Sequence, residues 1–206
     1  MANYCLMRFT KLYDFYEKKN RITKNGKEQY KIHPSVKSVF NEMYRNTKTI
    51  KEDGIYDFNY RYGLSWNKAI IEIENAKNSH NKHVLLTHNG KNPVRKMKNG
   101  VSQCFAIDFS FSSDMNDKID ISKWQHLNNE FVEEMFLIYG CKLLCKNFKK
   151  ESIVTMRYII LAWSDIGNRS VSSDFIKDRN NIRKCYDYYC EKMRMLGLEK
   201  AKKQRT

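Results

Sequence analysis

The sequence predicts an α+β fold, a mainly antiparallel sheet with helices packed on one face. Three observations carry this. Phe105, Ile107, Phe109 and Phe111 alternate with Ala106, Asp108 and Ser110, the two-residue period of a strand with one buried face. Lys142–Cys145 and Ile153–Trp163 are apolar segments around a basic, polar loop at Asn147–Ser152, which reads as a hairpin. Several other segments repeat their apolar residues at helical spacing, and they are interspersed with the strands without strict β-α-β alternation.

The elements follow in order. Asn3–Phe9 alternates and includes Tyr4 and Leu6, so it is the first strand; residues 14–32 are polar and irregular. Val36, Val39, Phe40, Met43, Tyr44 and Ile50 share a helical face, with Pro34 at the entry and Gly54 at the exit, which predicts a helix over Ser35–Lys51. "DFNYRYG" (Asp57–Gly63) is aromatic and loop-like. Ser65 can cap a second helix containing Trp66, Ala69, Ile70 and Ile73. Asn78–Lys98 reads as a long basic connection holding a short strand at Val84–Leu86. Leu127, Phe131, Val132, Met135, Phe136 and Tyr139 form a helical face closed by Gly140. After the hairpin, Ser173–Leu196 is the last helix, with Ile182, Tyr186, Tyr189 and Met193 on one side and Gly197 at its end.

Composition narrows the function. The chain has 206 residues, read as a single domain over 1–206 with a basic tail at 199–206. Hydrophobic residues make up 41%, enough for a core, and two prolines and eight glycines leave little room for disordered linkers. No apolar run reaches about 18 residues, so no membrane span is expected. The first residues lack a secretory pattern, and a cytoplasmic location follows. Cys5, Cys104, Cys141, Cys145, Cys185 and Cys190 form no C-x-x-C pair and read as reduced thiols, some of them buried.

Charge is the strongest signal. Lys and Arg total 38 against 23 acids, a net charge of +15. From Asn75 to Ile107 there is no acid, while Lys77, Lys82, Lys91, Arg95, Lys96 and Lys98 occur. Lys146, Lys149 and Lys150 add to this in the hairpin, and four further cations lie in the tail. Clustered cations favour a polyanion, because each neutralised phosphate releases counterions. The expected partner is single-stranded or structured DNA or RNA, alone or in a nucleoprotein complex.

Four phrases resemble the N-terminal domain of the Mob/Pre plasmid mobilisation relaxases. They are "MANYCLMRFTKL" with Arg8-x-x-Lys11, "NPVRKMKNGVSQCFAIDFSFSSDM", "WQHLNNEFVEEMFLIYG" and "SSDFIKDRNNIRKCYDYYCEKMRMLGLEKA". Together they cover about half the chain. The resemblance implies the HUH-endonuclease fold. There, hairpin histidines bind a divalent metal that polarises a scissile phosphate, and a tyrosine or histidine attacks it. At the place of the family's His-x-His, this chain has Met156-Arg157-Tyr158. Its His-x-Asp-Glu and His-Asn-x-Arg elements have no counterpart. Methionine, arginine and tyrosine cannot replace imidazole ligands for Mg²⁺ or Mn²⁺. No cofactor is therefore expected, and Lys149, Lys150 and Arg157 are expected to line a basic groove that holds phosphate without a metal.

Other constellations leave alternatives open. His80, His83 and His88 can ligate Mg or Mn only if a carboxylate arrives from elsewhere; otherwise they belong to a polar surface. Tyr189-x-x-Lys192 matches the Y-x-x-K spacing of rolling-circle initiators, although Tyr189 also falls on the core side of its helix. In "YDFNYRYGLSW", Arg61 among aromatics can stack bases or fasten a core corner. The leading reading is a catalytically degenerate, nucleic-acid-binding relaxase-like protein of a plasmid or phage. The alternatives are an active nicking enzyme using Tyr189 with atypical ligands, and an inhibitor of an RNA-guided nuclease (anti-CRISPR-like) acting through protein or guide-RNA contacts.

Overall fold

The structure, a computed structural model, describes residues 3–12, 18–24, 27–33, 35–87, 104–164 and 179–201. Strands β1 (Tyr4–Leu12), β4 (Lys48–Thr49), β5 (Tyr60–Gly63), β6 (Cys104–Phe111), β7 (Cys141–Lys150), β8 (Val154–Ser164) and β9 (Glu199–Lys200) form a seven-stranded sheet in the order β4-β5-β7-β8-β6-β1-β9. The β4–β5 and β1–β9 pairs at its edges are parallel, and the inner pairs are antiparallel. The expected α+β class with a mainly antiparallel sheet is what forms. A separate hairpin pairs β2 (Lys18–Lys24) with β3 (Lys27–His33).

Local sequence explains the helices. Helix α1 (Val36–Tyr44) starts at Ser35, whose hydroxyl accepts from the Ser38 N–H at 3.0 Å while Ser38 Oγ accepts from the Ser35 N–H at 3.0 Å. This reciprocal cap satisfies two donors that the first turn leaves without partners. Helix α2 spans Trp66–Thr87. Helix α3 (Ile121–Met135) starts on Asp120, which accepts from the Lys123 N–H at 3.0 Å. Helix α4 (Arg179–Met193) ends through a short 3₁₀ turn at Gly197, whose φ of +72° is the left-handed conformation glycine adopts without strain.

The sheet's inner strands sort their side chains by parity. Phe105, Phe109 and Phe111 of β6, with Met156 and Tyr158 of β8, face α3 and α4. Phe109 stacks against Phe131, Tyr158 and Tyr189 with ring centroids 5.6, 5.6 and 4.8 Å away. Trp124 meets Phe111 edge-on at 5.1 Å. Helix α1 lies on the opposite face, where its Glu42 and Tyr44 reach Arg157 and Arg61. Helices on one face therefore describes α3 and α4 and not α1.

Several expected boundaries change. Residues 14–32 were expected to be irregular, but hold most of the β2–β3 hairpin. "DFNYRYG" contains a strand, because Tyr60–Gly63 pairs with Phe148–Cys145. Gly63, at φ +112°, lets that strand close: a Cβ there would lie 2.6 Å from the Leu144 carbonyl oxygen. The first helix stops at Tyr44, seven residues before the expected Lys51, and β4 follows. The expected connection from Asn78, with its strand at Val84–Leu86, is helical as far as Thr87. Strand β6 is buried on both faces over its first half, Cys104 and Ala106 included, and shows the expected alternation from Ile107 on, where Asp108 and Ser110 are only partly buried. Strand β7 continues through Lys150, so residues 147–150 are strand and only Glu151–Ile153 turn.

Candidate nucleic-acid interface

The sheet face opposite α3 and α4 carries one polar row. Arg8 of β1 is paired with Asp108 of β6, Asp108 with Arg157 of β8, Arg157 with Asn147 of β7, and Asn147 with Arg61 of β5. Five adjacent strands thus place polar side chains side by side, because residues directly across from one another in a sheet point to the same face. Above the row lies a cavity of about 520 Å³, bounded also by Ser110, Lys149, Thr155 and, from α1, Glu42.

Arg157 is its electrostatic centre. Its Nε donates to Asp108 Oδ1, Nη2 donates to Asp108 Oδ2 at 3.3 Å, and Nη1 donates to Glu42 Oε2 at 2.6 Å. Burial opposes the guanidinium's charge, but Asp108 and then Glu42 offset it and hold the pKa above its usual range. The expected basic groove is not what the described residues build. Arg8, Lys149 and Arg157 line it together with Glu42, Asp108 and Glu151, a balanced set. Arg157 is committed to two carboxylates, and Lys149 Nζ donates to the Glu42 carbonyl at 3.0 Å. Lys150 has the parity of Lys146, is exposed at the end of the strand and does not line the cavity.

Two expected contacts are buried. Lys146 has the opposite parity; its side chain is 2% exposed, donates to Asn129 Oδ1 at 2.9 Å and pairs with Asp53. Arg61 belongs to the polar row but is 4% exposed. It donates to Thr49 Oγ1 at 2.9 Å, and its guanidinium lies 3.7 Å from the centre of the Tyr44 ring. Arg61 is the core-corner fastener, not a base-stacking surface. Met156 and Tyr158 are also buried away from the cavity; the Tyr158 hydroxyl donates to Asn129 Oδ1 at 2.7 Å. Lys91, Arg95, Lys96, Lys98 and His88 lie outside the described residues, as do the side chains of His80 and His83 within α2.

The tyrosine alternative is on the wrong side. Tyr189 is fully buried among Phe109 and Phe131, beneath α4, with the sheet between it and the cavity. Burial raises its pKa well above the tyrosine range. Lys192 is paired to Glu134 and Glu130. Neither group reaches a substrate at the polar row. The Tyr189 hydroxyl makes no hydrogen bond of normal geometry. With only a loose approach of the Trp124 indole N–H to offset desolvation, the hydroxyl is a net cost, and Tyr189→Phe is expected to stabilise the fold by up to about 1 kcal/mol, read by urea denaturation.

Sequence reasoning missed Asp108, Glu42 and Asn147. Asp108 had a visible signal, a lone carboxylate inside the apolar strand "CFAIDFSF". Glu42 and Asn147 had none without the tertiary fold. Of the three carboxylates lining the cavity, Glu42 and Asp108 are clamped on the Arg157 guanidinium, so a divalent metal would have to displace that cation from its oxygen ligands. No group of three His, Cys, Asp or Glu gathers elsewhere among the described residues.

No protein-family model matches the chain, and no curated protein matches it. Solved structures do. The chain is similar to the MobM relaxase domain (MOBV; Mob_Pre) bound to 22 nucleotides of plasmid pMV158 oriT DNA, in an Mn-bound crystal structure at pH 5.5. The TM-score is 0.59 at 13% identity, over 97% of this chain and 91% of that one. The same domain bound to 26 nucleotides of that oriT DNA gives 0.55 at 12% identity, over 98% and 92%. With 23 nucleotides, Mn-bound at pH 6.5, it gives 0.56 at 15%, over 98% and 92%. The resemblance read from four phrases thus extends, as fold, over nearly the whole chain: this is an α+β, mainly antiparallel fold of the Mob_Pre relaxase kind.

Proposed function

We propose that this chain binds single-stranded or structured nucleic acid across the polar row of its sheet and does not cleave it by a metal-dependent route. The observation that carries the reading is the row itself, Arg8–Asp108–Arg157–Asn147, lining a cavity on the sheet face away from α3 and α4 in a fold whose solved counterparts hold DNA. The row supplies hydrogen-bond donors and acceptors for bases and sugars. Long-range attraction comes from the acid-free segment carrying Lys91, Arg95, Lys96 and Lys98, with Lys149 lining the cavity and Lys150 exposed at the end of the same strand. The resemblance implies histidine ligands where this chain has Met156 and Tyr158, both buried away from the cavity, so no metal-activated phosphate is part of the reading. The protein is then a relaxase-like nucleic-acid binder of a mobile element.

The test is fluorescence anisotropy with labelled single-stranded DNA and a matched RNA over a range of salt. Six phosphate contacts predict a log–log slope of about −4 for a single strand. Flat or undetectable binding at low salt overturns the reading in favour of a protein partner.

A further inference from the structure

Away from the polar row, β1 and α4 bring two sulfurs together. Cys5 Sγ and Cys190 Sγ are 3.4 Å apart in a buried contact, although 185 residues separate them in the chain. Cys5 is fully enclosed and its thiol also contacts the Glu199 carbonyl at 3.4 Å. Cys190 is nearly buried, but it lines an open cavity of about 460 Å³ together with Lys184, Asp187, Arg194 and Lys200. The Tyr186 hydroxyl closes the other side, donating to the Cys5 carbonyl at 2.9 Å.

We propose that Cys190 and Cys5 form a dithiol that a hydroperoxide oxidises to a disulfide, with Cys190 the attacking sulfur and Cys5 the resolving one. The asymmetry follows from position. Cys190 meets the cavity, where a small oxidant can arrive; Cys5 does not. The hydrogen bond from Cys5, against partial burial and with the Lys200 charge outweighing Asp187, favours the Cys190 thiolate over its thiol, while the same contact and burial keep the proton on Cys5. Burial pushes the other thiols up, Cys141 and Cys145 to about 11 and Cys185 to about 12, and Cys104 higher still. The thiolate is the reactive form, so the oxidation is selective.

The chemistry balances. Cys190 Sγ attacks one oxygen of hydrogen peroxide and the O–O bond breaks. The leaving oxygen takes up the proton Cys190 released and departs as water, and Cys190 becomes a sulfenic acid. Cys5 Sγ then attacks Cys190 Sγ; its proton and the sulfenic hydroxyl leave as a second water. Two thiols are oxidised, one peroxide is reduced, and the bond ties the first strand to the last helix.

The experiment treats the folded full chain with stoichiometric hydrogen peroxide, blocks remaining thiols and maps peptides without reduction. A Cys5–Cys190 bridge is expected, reversed by dithiothreitol. Limiting iodoacetamide should label Cys190 before the other five cysteines of the unmutated chain. In Cys5→Ala the reaction should stop at a dimedone-trapped sulfenic acid on Cys190, and Cys190→Ala should form no bridge. No bridge in the unmutated folded chain, or a different cysteine labelled and oxidised first, overturns the proposal whatever the variants do.

Discussion

Changing Lys91, Arg95, Lys96 and Lys98 together to Ala is expected to lower affinity for single-stranded DNA about a hundredfold at low salt. The four cations sit within the acid-free stretch, and the groove residues on the polar row largely neutralise one another. In the proposed reading, electrostatic capture rests on that segment. Each single-strand phosphate contact steepens the fall in affinity between 50 and 200 mM salt by about 0.4 decade, so the loss caused by the four substitutions should be greatest at low salt and shrink by about 1.7 decades at 200 mM. The salt slope should become shallower by about 3. Stability is expected to stay within about 0.5 kcal/mol. Anisotropy and urea denaturation on the same preparation separate the two effects. An affinity loss below threefold would move the binding cations elsewhere.

Phe109→Ala is expected to cost about 3–5 kcal/mol, the largest single effect on folding. Phe109 is fully buried on an inner strand, and its ring touches rings from β8, α3 and α4 at once. Removing it leaves a void under both helices that the sheet cannot close, because β6 is held by strands on both sides. A typical domain is stable by about 5–15 kcal/mol, so the variant should unfold at much lower urea. A cost under 1 kcal/mol would mean that α3 and α4 do not share one core with the sheet.

Where local chemistry was strong, the sequence was legible. Ser35 before an apolar helical face, the Phe-rich alternation of β6 and the glycines ending two helices all appear where their residues predict. The β2–β3 hairpin was missed although Asn25-Gly26 separates its strands, a strong short-range turn signal masked by lysine-rich flanks. Tyr60–Gly63 is four residues long, and its strand character comes from pairing with β7, which no local pattern announces.

The interface was harder because parity decides it. Reading residues 147–150 as loop treated Lys146, Lys149 and Lys150 as equivalent. In a continuous strand Lys149 faces the cavity, and Lys146 enters the core to meet Asp53 and Asn129. Both partners are remote in sequence, so the buried lysine was invisible. Likewise Arg157 read as a free cation because Asp108 and Glu42 arrive from other elements.

The most direct test of binding without a metal is one titration: labelled single-stranded DNA against the full chain, in excess chelator and again in Mn²⁺, at fixed ionic strength. The polar row and the lysine-rich segment need no ion, so the two affinities should agree within twofold and the DNA should be recovered intact. Binding that appears only in Mn²⁺, or DNA recovered shortened and covalently attached to the protein, would contradict the account.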